Sequence, residues 1–197
     1  MKSYLPQKQI NKTLIPQINY VGFRLKAEKY FFKIRGGKRS VPLSRPDHRH
    51  ILWSWLGSFI GIAATGYLSV KTGMPLLMAP FGATSVLIFG VPDSPLAQPR
   101  NVIGGNLIAA SISLIILHLF GFDPWAMAMA VATAIGIMQL TGTVHPPSGA
   151  VALVVMMSKA SWQFLLIPAL EGSIISVLCA VVFNNLAEER SYPQHWL

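Results

Sequence analysis

With 52% of its 197 residues hydrophobic and only 12% charged, the chain has too few charges for an ordinary soluble surface, and its long apolar stretches make the bilayer its expected solvent. The net charge of +9 is uneven, because every Lys and Arg except Lys71, Arg100, Lys159 and Arg190 precedes residue 50. The lone cysteine, Cys179, excludes an intrachain disulfide, and a basic tail without a folded basic module argues against nucleic acid as a partner.

Residues 1–49 form a basic, proline-punctuated leader. Within it Tyr20, Phe23, Ala27, Tyr30, Phe31 and Ile34 recur at helical spacing, with Arg24, Lys26, Lys29 and Lys33 mostly between them. Such a pattern suits a short amphipathic helix on anionic lipids; a solvated tail is the alternative. Lys and Arg interrupt everything ahead of the first apolar run, so a signal peptide is not expected. The same excess predicts a cytoplasmic N-terminus. Glu28 and the low serine content count against a transit peptide, so a bacterial inner membrane is expected in preference to a plastid envelope.

From residue 50 the pattern changes. The run 51–70 supplies the ~20 residues that cross a hydrocarbon core, with Trp53 and Trp55 at interfacial depth. Further apolar runs cover 74–91, 102–120, 124–141 and 162–184. The run opened by His145 is shorter, roughly 13 to 15 residues, a length that suits a half-helix or a tilted, partly buried span. The expected fold is therefore all-α: a polytopic transmembrane bundle of about six segments over 50–185, followed by a tail at 186–197. Gly57 and Gly61 form a GxxxG step, which predicts close helix packing within the protomer or between protomers of a homo-oligomer.

Shifting the chain by 67 residues lays APFGATSVLIFG (79–90) over PPSGAVALVVMM (146–157). Pro80, Gly82 and Ala83 then fall on Pro147, Gly149 and Ala150, and Gly105 falls on Gly172. Two repeats follow, about 51–120 and about 124–184, each reading as helix, P-x-G-A segment, helix. Three crossings apiece would give the halves opposite orientation, an inverted repeat of the kind found in membrane transporters.

Proline at the first position of a helix predicts a helix start inside the bundle. The amides of Ser148, Gly149 and Ala150 would then point outward with the positive end of the helix dipole, and the Phe81, Gly82, Ala83 and Thr84 stretch would supply an opposing end. Two such ends suit a small anion. A plain proline kink with glycine easing helix packing is the alternative. His145, next to a positive helix end, is expected to be neutral, either contacting an anion or tethered to a backbone carbonyl. Glu171 is the one carboxylate well inside a long apolar run, a candidate for proton coupling, for pairing with Arg100, or for a simple position near the interface, about nine residues past Trp162. Arg100 could instead stand at an anion entrance or anchor a helix end to lipid phosphate. No metal-ligand spacing, cofactor motif or nucleophile–base arrangement is visible, so neither a metal, a cofactor nor an enzymatic activity is expected.

Three ordered motifs carry a resemblance. HPPSGA at 145–150, PFGATSVLIFG at 80–90 and SPLAQPRNVIGGN at 94–106 together resemble the HPP family of integral membrane proteins, named for the tripeptide at 145–147. The resemblance covers roughly 50–185. Its plastid and cyanobacterial members are described as nitrite transporters, so it implies transport of a small inorganic anion, nitrite foremost, between the Pro80–Ala83 and His145–Ala150 segments. A membrane scaffold or accessory subunit without transport is the rival. Two departures stand out: Asn106 replaces what is commonly a histidine, and no C-terminal regulatory domain is expected after the membrane part.

Overall fold

The computed structural model describes residues 46–73 and 77–196, so the leader helix expected near 20–34 lies outside the described residues. From Pro46 onward the chain forms one compact unit, and its described residues are helical, without strands. Helix α1 covers His48–Thr72, capped by the Asp47 carboxylate and ended by Gly73 in the left-handed region. The short α2, Ala79–Ser85, continues as a π-helical turn through Gly90. Then come α3 (Pro99–Phe120), α4 (Pro124–Thr141) and the short α5 (Pro147–Met157). A π-helical stretch, Leu165–Leu170, leads into α6, Glu171–Asn185, and is broken by the extended residue Ile167 before Pro168.

Proline begins α3, α4 and α5, where its missing amide would have had no partner anyway. Four stretches are long and apolar enough to cross a membrane: His48–Lys71, Pro99–Phe120, Pro124–Thr141 and Leu165–Asn185. The two P-x-G-A segments are the shorter ones. At 11 residues α5 is roughly 16 Å long, about half a hydrocarbon core, and the chain reaches its start through the non-helical residues 142–146.

Contacts fix the direction of each helix. His50 and Ser54, at the start of α1, bond the carbonyls of Gly90 and Phe89 at the end of the second segment, so the two run antiparallel. Arg100 and Asn101, at the start of α3, reach the carbonyls of Thr141, the last residue of α4, and of Val144 just beyond it. Asn184, near the end of α6, bonds the Ile88 carbonyl. Helix α5 ends where Met156 packs with Ile116 of α3 and Ala126 of α4, at the opposite end. Successive segments therefore alternate in direction, with the start of α1 and the end of α6 at one end, called here the tail end.

Helix α3 is central, packing on α4, α5 and α6, while α1 lies outside against α2 and α6. Phe81, Ala109, Ala110, Leu114, Val151 and Val155 are buried where α2, α3 and α5 meet. Gly57 and Gly61 admit the Phe89 ring, which a Cβ at either position would meet within 3 Å, so the GxxxG step serves packing within the protomer. Outward, Trp55, Phe59, Tyr67, Leu119, Leu140 and Val182 are exposed, an apolar surface suited to lipid.

The last residues close the tail end. Arg190 donates to the Phe89 and His50 carbonyls, the Asn184 side chain and Ser54 Oγ. Tyr192 is buried and donates its hydroxyl to the Ala97 carbonyl, and the Gln194 amide donates to Gln98 Oε1. Residues 186–194 are thus packed against the 91–98 loop.

Candidate functional site

The two motif segments meet inside the bundle, and polar side chains gather where they do. His145 is fully buried, its Nδ1 2.9 Å from the Leu96 carbonyl and its Nε2 2.9 Å from Thr84 Oγ1. A carbonyl only accepts, so Nδ1 carries the proton; in the neutral ring Nε2 then accepts from the Thr84 hydroxyl. Of the two roles considered for His145, the tether to a backbone carbonyl is the one formed.

A second cluster lies alongside. Ser148 Oγ donates to Asn106 Oδ1 at 2.7 Å, Asn106 Nδ2 donates to Ser173 Oγ at 2.9 Å, and Ser173 donates in turn to the Ala169 carbonyl. Asn106, Ser148 and Ser173 are completely buried. Helices α3, α5 and α6 are thereby joined by one chain of hydrogen bonds. Gly105 makes this possible: a Cβ there would sit 2.8 Å from both His145 Cβ and Ser148 Oγ, and 2.9 Å from the Thr143 carbonyl. Two turns beyond Asn106 on α3, the buried Ser113 hydroxyl has no partner among the described residues.

The helix-start amides behave differently from the sequence-based expectation. Pro146 already has helical dihedrals (φ −53°, ψ −40°), so a tight turn precedes α5. Within it the Ser148 amide donates to the His145 carbonyl and the Gly149 amide to the Pro146 carbonyl. Similarly, the Phe81 amide at the start of α2 bonds the Met78 carbonyl. These amides are already bonded to carbonyls and do not point outward unpaired.

The opposing glycines are also displaced from the expected arrangement. A Cβ on Gly82 or Gly149 would meet nothing within 4 Å, and Ala83 and Ala150 are exposed, so these four residues face outward. Pro80, Phe81, Thr84, Pro147 and Ser148 are buried.

Arg100 and Glu171 are not paired. Arg100 is exposed at the tail end, bonded to the Thr141 carbonyl against Gly142. Glu171 is exposed at the opposite end of α6, roughly 22 Å from that helix's tail-end terminus. Among the described residues, no group of three or more His, Cys, Asp and Glu is placed to hold a metal ion.

Sequence reasoning passed over Asn106 and Ser173 as contributors, noting Asn106 only as a departure. Their separation is 67 residues, the same offset that superposes the two P-x-G-A motifs, and that coincidence was the available signal.

Comparison with known proteins agrees with the motifs. The family model described as HPP, transmembrane region, matches residues 43–193. One similar protein, from Dictyostelium discoideum and described as a transmembrane protein, is 38% identical over 180 residues, covering 85% of this chain and 63% of the relative. A second, from the same organism and with the same description, is 40% identical over 180 residues, covering 85% of this chain and 57% of the relative. The chain thus spans about three-fifths of the length of these curated relatives. No solved structure matches it.

Proposed function

The chain belongs to the HPP transmembrane family, and from that membership we propose that this integral membrane protein carries a small inorganic anion, nitrite foremost, along the seam between α2 and α5. The observation that carries this reading is the set of buried polar side chains in and beside that seam, Thr84, His145, Ser148, Asn106 and Ser173, bonded to one another or to backbone carbonyls, together with the Ser113 hydroxyl, which has no partner among the described residues. Neutral hydroxyl and amide donors replace part of a monovalent anion's hydration shell without a fixed buried charge that would hold the ion too tightly. Preference for nitrite rests on the family's plastid and cyanobacterial members.

An inverted repeat, about 51–120 and about 124–184, is part of the proposal. Each half runs long, short, long, and the directions in the second half are opposite to those in the first. The Asn106–Ser173 bond joins positions one repeat offset apart, as residues beside a two-fold axis between the halves would be. Rocking of the halves exchanges these internal bonds for bonds to the ion. Arg100 stands at the tail-end entrance, and Glu171 is the candidate for proton coupling. With the N-terminus cytoplasmic, in a bacterial inner membrane, the tail end faces the cytoplasm.

Full-length protein reconstituted into liposomes tests this. Protein-dependent uptake of nitrite is the expected result. No uptake of nitrite, nitrate or chloride would leave the scaffold or accessory role in its place.

A further inference from the structure

At the end opposite the tails, Leu114, Leu117, His118, Gly121, Phe122, Lys159, Ala160, Ser161 and Trp162 enclose a groove of about 520 Å³. Among the described residues its ionisable side chains are His118 and Lys159, with no carboxylate in the lining. The carboxylate next in sequence, Asp123, is turned to the start of α4, where it accepts from the Trp125 amide.

Lys159 holds its place at a conformational cost. The Lys159 amide donates to Met156 and the Ala160 amide to Val155, the bond pair of a helix end whose next residue is left-handed. Helix α4 ends with the same two bonds and uses Gly142 in that position; α1 ends on left-handed Gly73. At the end of α5 the left-handed residue is Lys159, φ 49°, the non-glycine residue with positive φ among those described. Its ammonium is held over the Phe122 ring, 5.7 Å from the centroid, and among the described residues it bonds no carboxylate. A strained lysine where glycine fits better, held over a groove free of negative charge, needs a reason outside helix capping.

We propose that this groove is a capture site for small monovalent anions, with Lys159 as the cation that draws them in and Ser161 and Trp162 as donors beside it. It rests on the transport reading for its purpose, as a vestibule next to Leu114 and the Ser113 end of the seam, but its binding chemistry is independent of transport. The shared ligand chemistry is a singly charged anionic group, of which a free ion and a lipid phosphate are the two sources; the structure's groove is assigned to the free ion.

The test uses full-length protein in lipid-free nonionic detergent with iodide as a charged quencher of tryptophan and acrylamide as a neutral one. The difference between wild type and Trp162→Phe isolates the indole in the groove. Lys159→Gly removes the cation and relaxes the helix end, so the protein stays folded. Iodide quenching of Trp162 is expected to fall about threefold in Lys159→Gly, to survive in Lys159→Arg, and to be displaced by chloride replacing gluconate at constant ionic strength, with acrylamide quenching unchanged. Unchanged iodide quenching in Lys159→Gly overturns the site. So does displacement only by phosphatidylglycerol added to the micelles, which would make it a headgroup contact. In liposomes, Lys159→Gly is expected to raise the half-saturating external nitrite concentration and leave the maximal rate alone. Absence of flux in wild type would remove the transport reading while the quenching result still decides the groove.

Discussion

Gly105 and Gly149 both belong to glycine-bearing motifs, yet their surroundings are opposite. Gly105 is in contact with His145, Ser148 and the Thr143 carbonyl, whereas a Cβ on Gly149 would meet open space. Gly105→Ala is expected to cost ~1–3 kcal/mol by overpacking, read as a lower midpoint of thermal unfolding in detergent. Gly149→Ala removes a poor helix former without a clash, and is expected to shift stability by no more than ~1 kcal/mol, upward. The sequence alone could not separate these two, because which face of a helix a glycine occupies depends on neighbours far along the chain. The amides of Ser148 and Gly149 depart from expectation for a more local reason. Two successive prolines predict a break, but Pro146 adopts the helical region and brings two carbonyls back onto those amides.

At the level of elements, hydropathy and proline placement made most of the bundle legible. Pro147 marks a helix start as its sequence context predicts, Pro99 and Pro124 mark two more, and the shortness of the His145 run, suited to a half-helix or a tilted, partly buried span, was visible. The break at Ile167–Pro168 inside the last apolar run was passed over, since apolar composition continues through it. The lock at the tail end was invisible too, being polar and non-local: Arg190 is 101 residues from Phe89 and 140 from His50. There the π-helical end of the second segment leaves the Ile88, Phe89 and Gly90 carbonyls to be met by Asn184, by Arg190 and Ser54, and by His50 respectively. Arg190→Ala is expected to destabilise the protein by about 2 kcal/mol, because charged hydrogen bonds to two part-buried carbonyls are lost. Hydrogen exchange measured along the chain checks the location: amides of 186–194 and of 88–91 should exchange faster, with those of α4 unaffected.

For the whole molecule, the family was carried by three short motifs and the helical class and segment order by the apolar runs, while the way the halves join was not legible. The halves meet through side chains that bond one another, Asn106 with Ser148 and Ser173, and Thr84 with His145. Leaving one member of such a network unpartnered is costly, but replacing all members by apolar groups of similar shape is close to neutral for stability. Asn106→Leu, Ser148→Ala and Ser173→Ala combined should therefore fold while offering an ion fewer donors. Nitrite uptake by liposomes holding equal amounts of this triple variant and of wild type is the most direct measurement. Uptake at least about tenfold slower in the variant, equivalent to roughly 1.4 kcal/mol, is the predicted result. A folded triple variant that carries nitrite as fast as wild type would contradict the seam as the path.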